Sequence, residues 1–106
     1  MLIDTHAHLD MPEFKHEVAS ILVRAKAMGV EKIINVGTSA DSSKASVDLA
    51  RRYNEIYAAI GLHPDCAEEL NIETRGYLYS LAANKKVVAV GEIGLDYYYL
   101  KRSSQY

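Results

Sequence analysis

Four short apolar runs recur along this 106-residue chain, separated by stretches with a helical period. They are Leu2-Ile3, Lys32-Ile33-Ile34-Asn35-Val36, Ile56-Tyr57-Ala58-Ala59-Ile60 and Val87-Val88-Ala89-Val90. After the first run, Phe14, Val18, Ile21, Leu22, Ala25 and Met28 fall three or four apart and form one helical stripe. Asp10 and Glu13 read as a capping-box pair with Pro12 in the first turn, and Gly29 suits the position just past the helix. A second helix is expected from about Ser43 through Tyr53, with Val47, Ala50 and Tyr53 inward and Asn54 ending it. A third is expected from Ile72 to Ala83, capped by Asn71, although Gly76 inside it costs ~1 kcal/mol relative to alanine. Asp65 to Leu70 reads as a solvated loop or short turn, and Tyr97 to Tyr106 as a tail without a period. The order β-α-β-α-β-α-β implies a parallel sheet with right-handed crossovers.

Two architectures satisfy that order. A doubly wound sheet calls for a glycine-rich phosphate turn after its first strand, and this chain has His6-Ala7-His8 there instead. The remaining architecture is the (β/α)8 barrel, of which residues 1–106 supply four strands and three helices as one incomplete unit.

Composition narrows the partners. Formal net charge is −2, which is no footprint for gripping duplex nucleic acid through its phosphates, so attraction for a polyanion must be local, as at a bound metal. No run approaches ~18 apolar residues, so no membrane span is expected. Cys66 is the single cysteine, which excludes an internal disulfide, and with no secretory signal visible the cytoplasm is the default compartment.

In a strand, side chains alternate faces, so His6 and His8 point the same way with Cβ atoms ~7 Å apart, within reach of one metal ion. Asp4 shares that face, and an orienting role suits it better than ligation. Barrel enzymes carry their chemistry at the C-terminal ends of strands, and here those ends are His6 and His8, Asn35, His63 and Glu92. Each has a plain structural alternative: His63 before Pro64 caps a turn, Glu92 between glycines faces water, and Asp96 with the tyrosines after it forms a surface turn instead of lining a site. His16 reads as a solvated helix residue and Cys66 as a bystander.

Ile3-Asp4-Thr5-His6-Ala7-His8-Leu9, Gly61-Leu62-His63-Pro64 and, most specifically, Gly91-Glu92-Ile93-Gly94-Leu95-Asp96-Tyr97 resemble the TatD family of metal-dependent deoxyribonucleases. Histidine pairs on a first strand also open other amidohydrolases and the polymerase-and-histidinol-phosphatase type, and the last motif separates them. The resemblance implies that His6 and His8 ligate one divalent metal and that Glu92 bridges it to a second, with Mg²⁺, Mn²⁺ and Zn²⁺ not distinguished. It implies catalytic roles for Glu92 and His63, the latter contacting a substrate phosphate oxygen or the metal-bound water, and hydrolysis of DNA phosphodiesters by metal-activated water. The alternatives are an amidohydrolase-type enzyme acting on amides or esters, and a non-catalytic metal-binding fragment.

The family pattern also calls for two more histidines and an aspartate on later strands of a barrel of ~250 residues. This sequence has no histidine beyond His63 and no acid beyond Asp96. The expectation is therefore a truncated chain or one part of a split gene, weakly active or inactive alone. Its exposed strand edges would invite a missing C-terminal half or a second copy.

Overall fold

Sequential parallel pairing, β1-β2-β3-β4, is the observed sheet order. A doubly wound sheet would reverse direction at a switch point, so the unbroken order is the course of a barrel wall. The computed structural model describes residues 1–100, and residues 101–106, including the Lys101-Arg102-Ser103-Ser104 part of the expected tail, lie outside the described residues. The strands are β1 (Leu2–Ala7), β2 (Val30–Val36), β3 (Ile56–Ile60) and β4 (Val87–Val90). Between them run α1 (Val18–Ala27), α2 (Ala40–Arg52) and α3 (Ile72–Ala82), and a helical turn α4 (Tyr97–Leu100) opens the stretch expected to lack a period.

One face of the sheet meets the helices. Ile33, Ile56, Ala58 and Ile60 bury there against Val18 and Leu22 of α1 and Val47 and Ala50 of α2. Ile56 is fully buried, and side chains of its kind contribute ~1.5–3 kcal/mol each when removed from water. The two central strands are well covered, while the edge strands are not. Leu2 and Ile3 on β1 and Val88 and Val90 on β4 all stand exposed.

Several local expectations give way to longer-range contacts. Asp10 does not cap α1. Its carboxylate accepts from Asn35 Nδ2 and from Ser42 Oγ, both at 2.9 Å. The chain therefore makes a short 3-10 turn at Pro12–Phe14 and starts α1 only at Val18, with no side-chain cap at either start. The stripe is correspondingly shortened, with Val18 and Leu22 buried and Met28 exposed. Gly29 takes φ +90° just beyond α1, the left-handed conformation that a side chain disfavours. Helix α2 begins three residues before the expected Ser43, because the Ser39 side chain accepts from the Ser42 amide and caps it. Asn71 caps α3 as expected, accepting from the Thr74 amide at 2.8 Å. The segment expected as a loop or short turn after His63 is a 3-10 helix, Pro64–Glu69.

Candidate metal centre

The ends of β2, β3 and β4 are tied together by backbone hydrogen bonds. The Gly91 amide donates to the Ile60 carbonyl (2.8 Å), and the Glu92 amide donates to the Gly37 carbonyl (2.7 Å). Glu92 thus hangs from the ends of β2 and β3 as well as from its own strand. Gly61 permits this, since a Cβ there would lie 2.6 Å from the Glu92 carbonyl oxygen. At the other edge, Asp4 accepts from the His6 amide (3.0 Å), which is the orienting role expected of it.

His8 has a fixed tautomer. Its Nδ1 lies 2.9 Å from the Val36 carbonyl. A carbonyl can only accept, so Nδ1 carries the proton and Nε2 keeps a lone pair. That Nε2 lies 3.1 Å from His6 Nε2, so in the metal-free chain His6 donates, and a cation would replace that proton. Glu92 Oε2 completes the group at 3.6 Å from His6 Nε2 and 3.4 Å from His8 Nε2. These three separations define a triangle whose centre lies ~2.0 Å from every corner, which is the length of zinc–nitrogen and zinc–carboxylate bonds. The donor set fits a divalent cation. His8 and Glu92 are largely sheltered and His6 is 55% exposed, so one side of the triangle stays open to water and substrate.

His63 stands on the opposite side of Glu92. Its Nε2 is 3.7 Å from Glu92 Oε1 and 3.9 Å from Asp96 Oδ2. Its Nδ1 is 2.6 Å from Asp65 Oδ1, with the Asp65 amide 3.1 Å away as a competing partner. One nitrogen cannot donate to the carboxylate and accept from the amide at once. The contact to the carboxylate is the shorter of the two and the charge-assisted one, which makes it the stronger competitor for that nitrogen.

All four site residues named from the sequence therefore meet: His6, His8, Glu92 and His63. Asn35, also at a strand end, does not join them. It points to the helix face, fully buried, accepting from the Leu9 amide (2.5 Å) and donating to Asp10 and to Ser46 Oγ (2.8 Å). His16 is exposed as expected, in the turn before α1 instead of within a helix. Cys66 lies three residues from His63, its amide donates to the His63 carbonyl, and burial, with help from the Asp65 and Glu69 carboxylates, pushes its thiol up to about 11. Sequence reasoning missed Asp65 and the Val36 carbonyl. The first was readable in part, because an acid two residues after a histidine and just past a proline is well placed to fold back on the ring. The second is a backbone atom on another strand and left no signal.

The sequence model of the family described as TatD related DNase matches residues 3–106. The chain belongs to that family. Among its TatD relatives, the uncharacterised metal-dependent hydrolase YabD of Bacillus subtilis is 41% identical over 95% of this chain and 40% of its own length. The 3'-5' ssDNA/RNA exonuclease TatD of Cronobacter sakazakii is 34% identical over 91% of the chain and 36% of its own length. The crystal structure of YjjV, a TatD homologue from Escherichia coli, superposes with a TM-score of 0.81 at 42% identity, covering 90% of this chain and 38% of that one. The chain thus spans about two fifths of the length of these relatives and has the first four strands of the TatD barrel. Relatives in this family are named metal-dependent hydrolases, and His6, His8 and Glu92 are a group of side chains that could hold a cation. Among the described residues no helix is long and apolar enough to cross a membrane.

Proposed function

We propose that His6 Nε2, His8 Nε2 and Glu92 Oε2 hold a divalent cation, and that the site serves hydrolysis of phosphodiester bonds in DNA. The observation that carries the reading is the triangle of donor atoms, whose three edges match one cation at ordinary bond lengths. The exonuclease name borne by the Cronobacter relative supports the choice of substrate. A cation bound there would polarise a phosphoryl oxygen and make an adjacent water more acidic.

The chain's own groups do the rest. Val36 fixes the His8 ring so that its lone pair faces the site, and Asp4 holds the amide of His6 near the end of β1. Glu92 offers Oε2 to the histidine pair and keeps Oε1 on the His63 side, where it is the oxygen left for a second cation. His63 Nε2 is the group placed to meet a phosphate oxygen or the attacking water. The first cation has three donors here, and on the other side Glu92 Oε1 stands beside His63 Nε2, which in turn lies near Asp96 Oδ2.

The test is an assay of single-stranded DNA, an aryl phosphodiester and an aryl ester, each with Mg²⁺, Mn²⁺ or Zn²⁺. Metal-dependent cleavage of the two phosphodiesters, lost in His6→Ala and Glu92→Ala, is the expected result. Cleavage of the ester alone would instead assign the site to the amide and ester class.

A further inference from the structure

We propose that Asp65 is a positioning residue that holds His63 in the tautomer protonated at Nδ1, so that Nε2 is the nitrogen His63 offers to the site. The role for Nε2 rests on the nuclease reading above, while the tautomer itself does not. The contact between His63 Nδ1 and Asp65 Oδ1 is short, at 2.6 Å. The backbone is built to keep it. The His63 amide donates to the Thr38 carbonyl (2.8 Å), the Cys66 amide donates to the His63 carbonyl (2.7 Å), and Pro64 opens the 3-10 helix between them. Both ends of the His63-Pro64-Asp65 step are thereby fixed, and the ring and the carboxylate have little freedom to part.

The consequence is chemical. A histidine side chain in water favours the proton on Nε2, which would turn a donor toward Glu92 Oε1 and Asp96 Oδ2. With Asp65 holding the proton at Nδ1, the neutral ring presents a lone pair at Nε2 instead. That lone pair can accept a hydrogen bond from a water lying between Glu92 and Asp96, or take its proton. Asp65 itself, half exposed and on the far side of the ring, touches none of these atoms.

The experiment is long-range ¹⁵N–¹H correlation of the histidine rings in the metal-free chain, at a pH above the ordinary imidazole range, for wild type, Asp65→Ala and Asp65→Asn. The expected spectra show His63 protonated at Nδ1 in the wild type and in Asp65→Asn, which keeps an oxygen at the same reach, and protonated at Nε2 in Asp65→Ala. A wild-type ring protonated at Nε2 overturns the proposal without any variant, and so does an Asp65→Ala spectrum identical to wild type. In phosphodiester hydrolysis, Asp65→Ala is expected to lower kcat by about tenfold or more with KM and cation affinity unchanged, and Asp65→Asn to recover most of the loss. A switched tautomer with an unchanged kcat would refute the positioning role. Absence of hydrolysis in the wild type would refute the nuclease reading instead, and the spectra would still decide whether Asp65 sets the ring.

Discussion

Two polar clusters sit at the same end of the sheet and differ in how their atoms are satisfied. On the helix face, Asn35, Asp10, Ser42 and Ser46 form a closed network in which donors meet acceptors: Asn35 accepts from Leu9 and donates to Asp10 and Ser46, and Ser42 donates to Asp10. On the open face, His6, His8 and Glu92 bring three acceptor-capable atoms within 3.6 Å of one another with at most one proton to share. The first cluster is complete within the fold. The second becomes complete on adding a positive charge, and that is how a structural polar cluster and a binding site can be told apart from geometry.

The contrast breaks most directly at Asn35. Asn35→Leu strands the Leu9 amide and removes a partner from Asp10 and Ser46, all close to the core, at an expected cost of about 3 kcal/mol in urea unfolding. A loss under about 1 kcal/mol would show that the network contributes little. His8→Ala is the converse case. It is expected to change the stability of the metal-free chain by only about 1 kcal/mol, through the lost hydrogen bond to Val36, while abolishing the rise in melting temperature that a bound divalent cation gives the wild type. Equal cation-induced shifts in both chains would place the cation elsewhere.

Smaller effects lie away from both clusters. Gly76 sits inside α3 with open space where a Cβ would go, so Gly76→Ala is expected to stabilise the chain by about 0.5–1 kcal/mol without altering cation binding. Cys66 supplies a pH dependence. Its thiol is raised from 9.0 to about 11, first by burial and then by Asp65 and Glu69, so the folded state favours the protonated form. Its contribution to stability is full below the ordinary thiol range and fades as pH rises through about 11. Alkylation near pH 9 is accordingly expected to be roughly tenfold or more slower in the native chain than in urea, because the thiolate is the reacting species.

How much of this was legible in the sequence follows the range of each interaction. Strands β3 and β4 have the expected limits, Ile56–Ile60 and Val87–Val90, because short apolar runs between turn residues are set locally. The barrel course followed from alternation and from the missing phosphate turn, and the sequential sheet order bears it out. The start of α1 was misplaced because Asp10, a good cap in isolation, is drawn off by Asn35 and Ser42 on distant elements. The candidate site divides in the same way. His6 and His8 were readable from strand alternation, and Glu92 from its place at a strand end. The groups that set the two rings, the Val36 carbonyl and the Asp65 carboxylate, became visible only when strands and turns were placed in space.

The central claim is that the histidine pair and Glu92 act as one cation site. Calorimetric titration of the chain with Zn²⁺ or Mn²⁺, set beside Glu92→Gln, tests it most directly, since glutamine keeps the shape of the side chain and removes the charge. The account predicts a principal site in the wild type whose affinity falls about a hundredfold in the variant. Equal affinity and stoichiometry in the two chains would contradict it.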